Sequence, residues 1–429
     1  MPASPSDRRT PPLRTAPSPE LRRARRAVAA LFLTNGALMA NLVPRYPDVK
    51  QALGLENSTY GLMLSAFPAG AILAGLAAAP VVRRLGSARA AVLGTLCTAL
   101  ALLLVAFTPS VGVIALMLAL GGACDAITDV AQNAHGIRVQ KAYGRSILNS
   151  FHALWSVGAA IGGTMAAAAI ALDLPLPVHL GISGVVFAAV AVVALRFCLT
   201  GPDEEPAQES AQEPASSGSA TQPSDTAAQP SARRRTPLTS HTVLMLVALV
   251  VLAIGGTLVE DSGNSWATLY VGRDLGAPGA LAAIGYIAVV ASQFIGRLVG
   301  DPLVNRFGQR AVARTGGVII ALGMGLALAF PSIPGTVLGF GLAGLGSATL
   351  VPAAMAQADD LPGLRHGTGL TIVSWLMRLG FLLSPPIVGA VADATSLRVG
   401  LLVVPIAGLA AIISAQVLPG GPFTRRDRS

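Results

Sequence analysis

Residues 241–265 read HTVLMLVALVVLAIGGTLVEDSGNS. From Val243 to Val259 the stretch is apolar apart from two glycines and Thr257, and it then runs straight into Glu260 and Asp261. About 20 predominantly apolar residues are what a helix needs to cross the hydrocarbon of a bilayer. The run lacks the alternation of apolar and polar positions that a lipid-facing barrel strand shows, so it reads as a transmembrane helix. Eleven further stretches read the same way: 26–44, 58–80, 88–107, 111–134, 146–171 and 178–199 before it, and 279–300, 312–330, 334–357, 367–392 and 397–418 after it.

Composition agrees. Of 429 residues, 53% are hydrophobic and only 12% charged, with a mean hydropathy of +0.64. A soluble chain carries about twice that charge, roughly 25%. A soluble enzyme, a secreted disulfide scaffold and a disordered chain are thereby excluded. The net charge of +9 does not point to nucleic acid. Of the 30 basic residues, 24 fall in tails or loops on one side of the twelve-span assignment, and only Arg45, Lys50, Arg273 and Arg398 on the other. That asymmetry orients helices during insertion and places both termini in the cytoplasm. The arginines from Arg8 to Arg26 have no aromatic interleaving, so no nucleic-acid partner is expected. Cys97, Cys124 and Cys198 lie in apolar segments without metal-ligand spacing, and no metal or other cofactor is expected. The use of 28 Arg against 2 Lys suggests a GC-rich bacterial source, hence the bacterial inner membrane.

The expected organisation is a disordered cytoplasmic tail (1–25), a six-helix bundle (26–199), a disordered linker rich in Pro, Ser, Ala, Gln and Glu (200–239), a second six-helix bundle (240–418) and a short tail (419–429). The halves look related. A shift of 222 positions lays Leu53-Gly54 on Leu275-Gly276, Gly86 on Gly308, Pro109-Ser110 on Pro331-Ser332, Gly122 on Gly344, Leu148 on Leu370 and Gly158 on Gly380. Two six-span repeats with a site between them near the midplane is a transporter architecture.

The segment Gly300-Asp301-Pro302-Leu303-Val304-Asn305-Arg306-Phe307-Gly308 resembles the loop signature of the major facilitator superfamily, whose acid, Arg and Gly form a charged hinge between two helices. The equivalent first-half loop keeps Arg84 and Gly86 but has Arg83 in place of the acid. Within that superfamily the chain resembles the MosC-like branch. The matching stretches are Arg45-Tyr46-Pro47-Asp48-Val49-Lys50, Asp129-Val130-Ala131-Gln132-Asn133-Ala134, Ser150-Phe151-His152-Ala153 and Gly296-Arg297-Leu298-Val299-Gly300-Asp301. The resemblance implies an all-α integral membrane protein with twelve transmembrane helices in two pseudo-symmetric bundles, and transport rather than enzymatic activity.

Ionisable groups inside apolar spans are costly and mark function by default. On span 4, Asp125, Asp129, Gln132 and Asn133 share one stripe, and the two aspartates are one turn apart. Two neighbouring carboxylates in a poorly hydrated place cannot both ionise easily, which suits them to carry a coupling proton, with His152 on span 5 as a further carrier. Arg378 stands halfway along span 11, on a face with Trp375, and requires an anion: Asp125 across the cavity, or the substrate. Asn41 and Arg45 on span 1 and Glu260, Asp261 and Asn264 on span 7 lie on arcs related by the repeat. Gln132, Asn133, Asn41 and Asn264, with Arg378 and Trp375, are read as substrate contacts, and Arg45 with Glu260 or Asp261 as an outer gate pair. Arg297 reads as the cytoplasmic end of span 8, and Trp266 as a membrane-interface residue.

The sequence thus predicts a secondary active transporter, proton-coupled and monomeric, moving a small polar organic solute by alternating access. An exporter of a hydrophobic compound, and a transport-dead sensor or scaffold, stay open as alternatives.

Overall fold

A bilayer offers backbone groups no water, so an apolar stretch of this length satisfies its own amides by becoming a helix. The computed structural model describes residues 18–144, 147–201, 239–359, 361–364 and 368–421, with the side chains of Asn149 and Asp359 left aside. Among them are twelve helical spans and no strand. In order these are spans 1 (Pro19–Ala52), 2 (Asn57–Leu85), 3 (Ser87–Val105), 4 (Val111–Tyr143), 5 (Ser150–Ala171) and 6 (Leu176–Leu195), then 7 (Ser240–Asp274), 8 (Gly279–Phe307), 9 (Gln309–Ala329), 10 (Ile333–Ala358), 11 (Thr368–Ala394) and 12 (Leu397–Val417).

Span 1 corrects the expected tail. It begins at Pro19 rather than near 26, because Ser18 caps it: the Leu21 N–H donates to Ser18 Oγ at 3.2 Å, with Pro at the first position and Glu20 in the first turn. Residues 1–17 of that tail lie outside the described residues. So do 202–238 of the linker and 422–429 of the C-terminal tail. At the other end of the chain, Arg310 donates from its amide to Pro419 O at 3.2 Å and from Nε to Leu418 O at 2.8 Å.

The internal repeat is visible in the backbone. Leu85 and Phe307 end spans 2 and 8, Ser87 and Gln309 open spans 3 and 9, and Val111 and Ile333 open spans 4 and 10; each pair stands 222 positions apart. Gly86 and Gly308, between these helices, both take positive φ, 82° and 85°, where a side chain would be strained. The packing repeats as well. A Cβ on Gly122 would strike the carbonyl of Phe67, and one on Gly344 would strike that of Val289, the residue 222 positions after Phe67. Lipid tails give helices no hydrophobic reason to associate, so close approach at small residues holds each bundle together.

Twelve crossings bring the described chain ends to one face, here the terminal face. At the opposite face the halves are locked. Asp393, at the end of span 11, accepts the N–H groups of Asn57 and Ser58 at 2.9 and 2.7 Å, so it caps span 2 of the other half. Gly61 sits against the Pro385 carbonyl and Gly389 against that of Asn57. Tyr60 donates to Ser265 O at 2.9 Å and meets Trp266 edge-on at 5.1 Å, with Tyr46 edge-on behind it at 6.4 Å. Trp266 is fully buried in this plug, not at a membrane interface as its position along the span suggested.

Candidate functional site

Between the halves lies a cavity of about 790 Å³. Span 5 contributes His152 and Ser156 to its lining, span 7 Thr257 and Glu260, and span 8 Gln293, Arg297 and Asp301. The lining continues to Gln309, which opens span 9 at the terminal face.

In the first half, span 4 presents the expected stripe, and its organiser is Asn35 of span 1. Asn35 Nδ2 donates to Asp125 Oδ1 at 2.6 Å, while Asn35 Oδ1 accepts from Trp155 Nε1 at 2.8 Å and from Gln132 Nε2 at 3.5 Å. Gln132 also reaches Asp129 Oδ1 at 3.4 Å, and Asn133 donates to the Asp129 carboxylate at 3.0 Å and to its carbonyl at 2.8 Å. One continuous chain of hydrogen bonds therefore joins the two aspartates. Asp125 is half-buried, whereas Asp129 is exposed, within electrostatic reach of His152 and Arg378. His152 is itself exposed and rests edge-on against Phe32 at 5.2 Å.

In the second half, Glu260 accepts from Gln293 Nε2 at 2.9 Å and pairs with Arg297 Nη2 at 3.6 Å. Arg297 is thus a cavity residue rather than the end of span 8 anchored in the interface. Glu260 points inward with it, and the expected gate pair with Arg45 is not formed. Arg45 instead pairs with Asp48 at 2.7 Å and donates through Nη1 and Nη2 to Leu174 O, both at 3.1 Å, which ties span 1 to the loop before span 6. Asp261 is buried beside the plug, accepting from Ser265 Oγ at 3.2 Å, while its Oδ2 makes no well-formed hydrogen bond among the described residues.

Arg378 does not meet Asp125. Asp125 is held by Asn35, and Arg378 has neither an ion pair nor a hydrogen bond among the described residues. Its guanidinium lies over Gly75 of span 2, where an added Cβ would stand 3.5 Å from Nη1. Trp375, one turn earlier, is 46% exposed.

Asn41 turns away from the cavity. It is fully buried, its Oδ1 2.8 Å from His179 Nε2 of span 6 and its Nδ2 donating to Ala37 O at 2.8 Å, so it is a packing residue of the first half. Asn264 is half-buried on span 7. The loop signature forms its hinge through Gly86 and Gly308, but among the described residues not its charge network. Arg306 lies over the Phe307 ring at 5.3 Å, Asp301 faces the cavity mouth, and Arg84 is exposed.

Sequence reasoning missed Asn35, Gln293 and Asp393. Asn35 and Gln293 carried a signal: both are polar in otherwise apolar spans. Asp393 carried little, since an acid at the end of a span is ordinary.

The sequence profile described as Major Facilitator Superfamily matches residues 28–298 and again 261–427. The chain is 28% identical over 394 residues to Uncharacterized transporter y4wD of Sinorhizobium fredii, covering 92% of this chain and 97% of that protein. It is 26% identical over 376 residues to Membrane protein MosC of Rhizobium meliloti, covering 88% and 85%, in accord with the motif resemblance. In fold it is similar to a bacterial homolog of the human lysosomal transporter Spinster in an inward-facing and occupied conformation, with TM-score 0.69 and 14% identity, covering 93% of this chain and 96% of the other. A multi-pass helical chain, two halves related by one shift, a cavity between them and a family match over nearly the whole length lead to one conclusion: the chain belongs to the major facilitator superfamily of membrane transporters.

Proposed function

We propose that the chain is a proton-coupled secondary transporter that moves a small polar organic solute by alternating access, acting as a monomer in a bacterial inner membrane with both chain ends cytoplasmic. One observation carries this reading. Ionisable side chains of both halves, His152 from one and Glu260 and Arg297 from the other, line a single cavity that continues to the terminal face, while the opposite face is locked by Asp393 and the Tyr60–Trp266 plug. With the arginine-rich loops in the cytoplasm, this is the inward-open state.

Asp125 and Asp129 are the proton carriers, and the Asn35–Gln132 chain relates the occupancy of one to the other. His152 adds an imidazole that can take up or release a proton. The solute lies between this network and Arg378, Trp375 and the Glu260–Arg297 pair. Closing the terminal face would sequester it, and breaking the Asp393 lock would release it on the other side.

The test is uptake by the purified protein in liposomes. A metabolite library is first screened for compounds that raise the unfolding temperature, as any ligand of the folded state must. Hits are then tested for accumulation under an imposed proton gradient. Accumulation that collapses with a protonophore is the expected result. Movement of a hit only down its own gradient refutes proton coupling, and no movement of any stabilising hit refutes transport of that solute class.

A further inference from the structure

Away from the central cavity, a second hollow of about 490 Å³ lies on the outer wall of the first half. Its two walls are the beginning of span 1 and the end of span 6. The floor is apolar, built from Ala30, Val190, Val193 and Phe197 with their neighbours, and its rim carries Arg23 and Arg26. Val193 and Phe197 are 52% and 46% exposed, on a surface that faces lipid in a membrane-embedded bundle. The two arginines are three residues apart on one helix, hence on one face. Neither has an ion-pair partner among the described residues, and no carboxylate lines the hollow.

We infer that this groove binds one anionic phospholipid, with the phosphate held by Arg23 and Arg26 and an acyl chain lying along Val190, Val193 and Phe197. Charge selects an anionic over a zwitterionic headgroup, because two fixed positive charges at the rim face no fixed negative one. The apolar floor selects a lipid over a free anion, since a phosphate alone would leave that surface unfilled. The chain's own segments fit less well. The N-terminal residues bring Arg8, Arg9 and Arg14, which repel the rim. The linker brings Asp203, Glu204 and Glu205, but residues 202–215 contain no Val, Leu, Ile, Phe or Met to fill the floor.

The experiment is native mass spectrometry of the full chain released from nanodiscs holding equal phosphatidylglycerol and phosphatidylcholine. The wild type should retain one phosphatidylglycerol with a preference of roughly thirtyfold, the yield of two arginines near a membrane surface. Arg23→Gln with Arg26→Gln should erase the preference. Ala189→Trp, at an exposed wall position, should expel the lipid with both arginines intact, so the outcome does not hang on one variant folding; unfolding temperatures in pure phosphatidylcholine confirm that each is folded. Millimolar glycerol 3-phosphate should leave the lipid in place. Equal retention of the two lipids by the wild type overturns the proposal, as does an unchanged preference in the double variant or undiminished retention in the tryptophan variant. Displacement by glycerol 3-phosphate makes the groove a free-anion site instead. A rise in retained phosphatidylglycerol on neutralising Asp203, Glu204 and Glu205 assigns it to the linker.

Discussion

The two halves share a backbone and divide the chemistry. In the first half, Asn35, Asp125 and Trp155 form a hydrogen-bonded cluster. The residues 222 positions later are Thr257, Ser347 and Met377. Thr257 and Met377 still touch, Thr257 Oγ1 donating to Met377 O at 3.3 Å, but the carboxylate is gone. The converse holds for Glu260, Gln293 and Arg297, whose first-half equivalents are Leu38, Ala71 and Gly75. Even Arg378 has only Ser156 as its mate. Duplicated packing is preserved because helix crossings tolerate few residue types, whereas cavity positions are free to diverge. Each half has kept the ionisable network that the other lacks, which makes the symmetric fold an asymmetric machine.

The largest effects should come from the shared backbone. Gly122→Ala and Gly344→Ala each place a methyl against a backbone carbonyl, of Phe67 and of Val289, which cannot swing aside as a side chain can. Overpacking of this kind costs about 1–3 kcal/mol. Both variants should lower the unfolding temperature of the detergent-solubilised protein by similar amounts, and Leu at either site should leave little folded protein. Gly121→Ala is the control, because its Cβ would meet nothing closer than 3.5 Å. If only one of the pair is sensitive, or the control is equally damaging, the packing of the halves is not equivalent.

Next come the two networks. Asp125→Asn should keep the Asn35 contact as an amide pair and leave folded protein, yet abolish accumulation driven by a proton gradient while solute exchange continues. Glu260→Gln should do the reverse: proton-driven accumulation persists, and apparent solute affinity falls because Arg297 loses its counter-charge. Arg297→Gln added to Glu260→Gln should recover part of that affinity, since removing both charges leaves neither uncompensated. Identical behaviour of the two carboxylates would dissolve the division of labour between the halves.

The repeat was legible in the sequence because it is written in Gly86, Gly122 and their mates, positions where the backbone itself dictates the residue. The span 4 stripe was legible for a related reason: charge in an apolar helix is rare, and helical spacing assigns it a face. Partners were not legible. Spacing places Arg45, Glu260 and Arg378 on faces but cannot tell how far a long side chain bends, so Arg45 reached Leu174 and Asp48, and Arg297 reached Glu260 from a position that looked interfacial. Asn41 shows the complementary error. Its polarity suggested a ligand, but His179, a polar residue of another span in the same half, satisfies it.

The smallest effect should come at the locked face, where the repeat allows a gain as well as a loss. Asp393 caps the first turn of span 2 at Asn57 and Ser58. The positions 222 residues away are Ala171, which ends span 5, and Gly279, which opens span 8. There the contact is only apolar: a Cβ on Gly279 would meet Ile170 Cγ2 at 2.8 Å. One junction between the halves thus has an acidic cap and its mate has none. A carboxylate accepting first-turn N–H groups is worth about 1 kcal/mol. Asp393→Ala should therefore shift the balance of the two faces by roughly fivefold toward opening at the locked face. Ala171→Asp should shift it by a similar factor the other way, because Ala171 is exposed and the Gly279 amide lies at the start of its helix. The balance can be read from spin-label distances between Glu56 and Thr395, both exposed loop positions on the two sides of the junction. Opposite shifts from the two variants, cancelling when combined, would show that closure is a sum of two symmetric contacts. A shift from Asp393→Ala alone would make the span 2–span 11 junction the hinge and the span 5–span 8 junction a passive pivot.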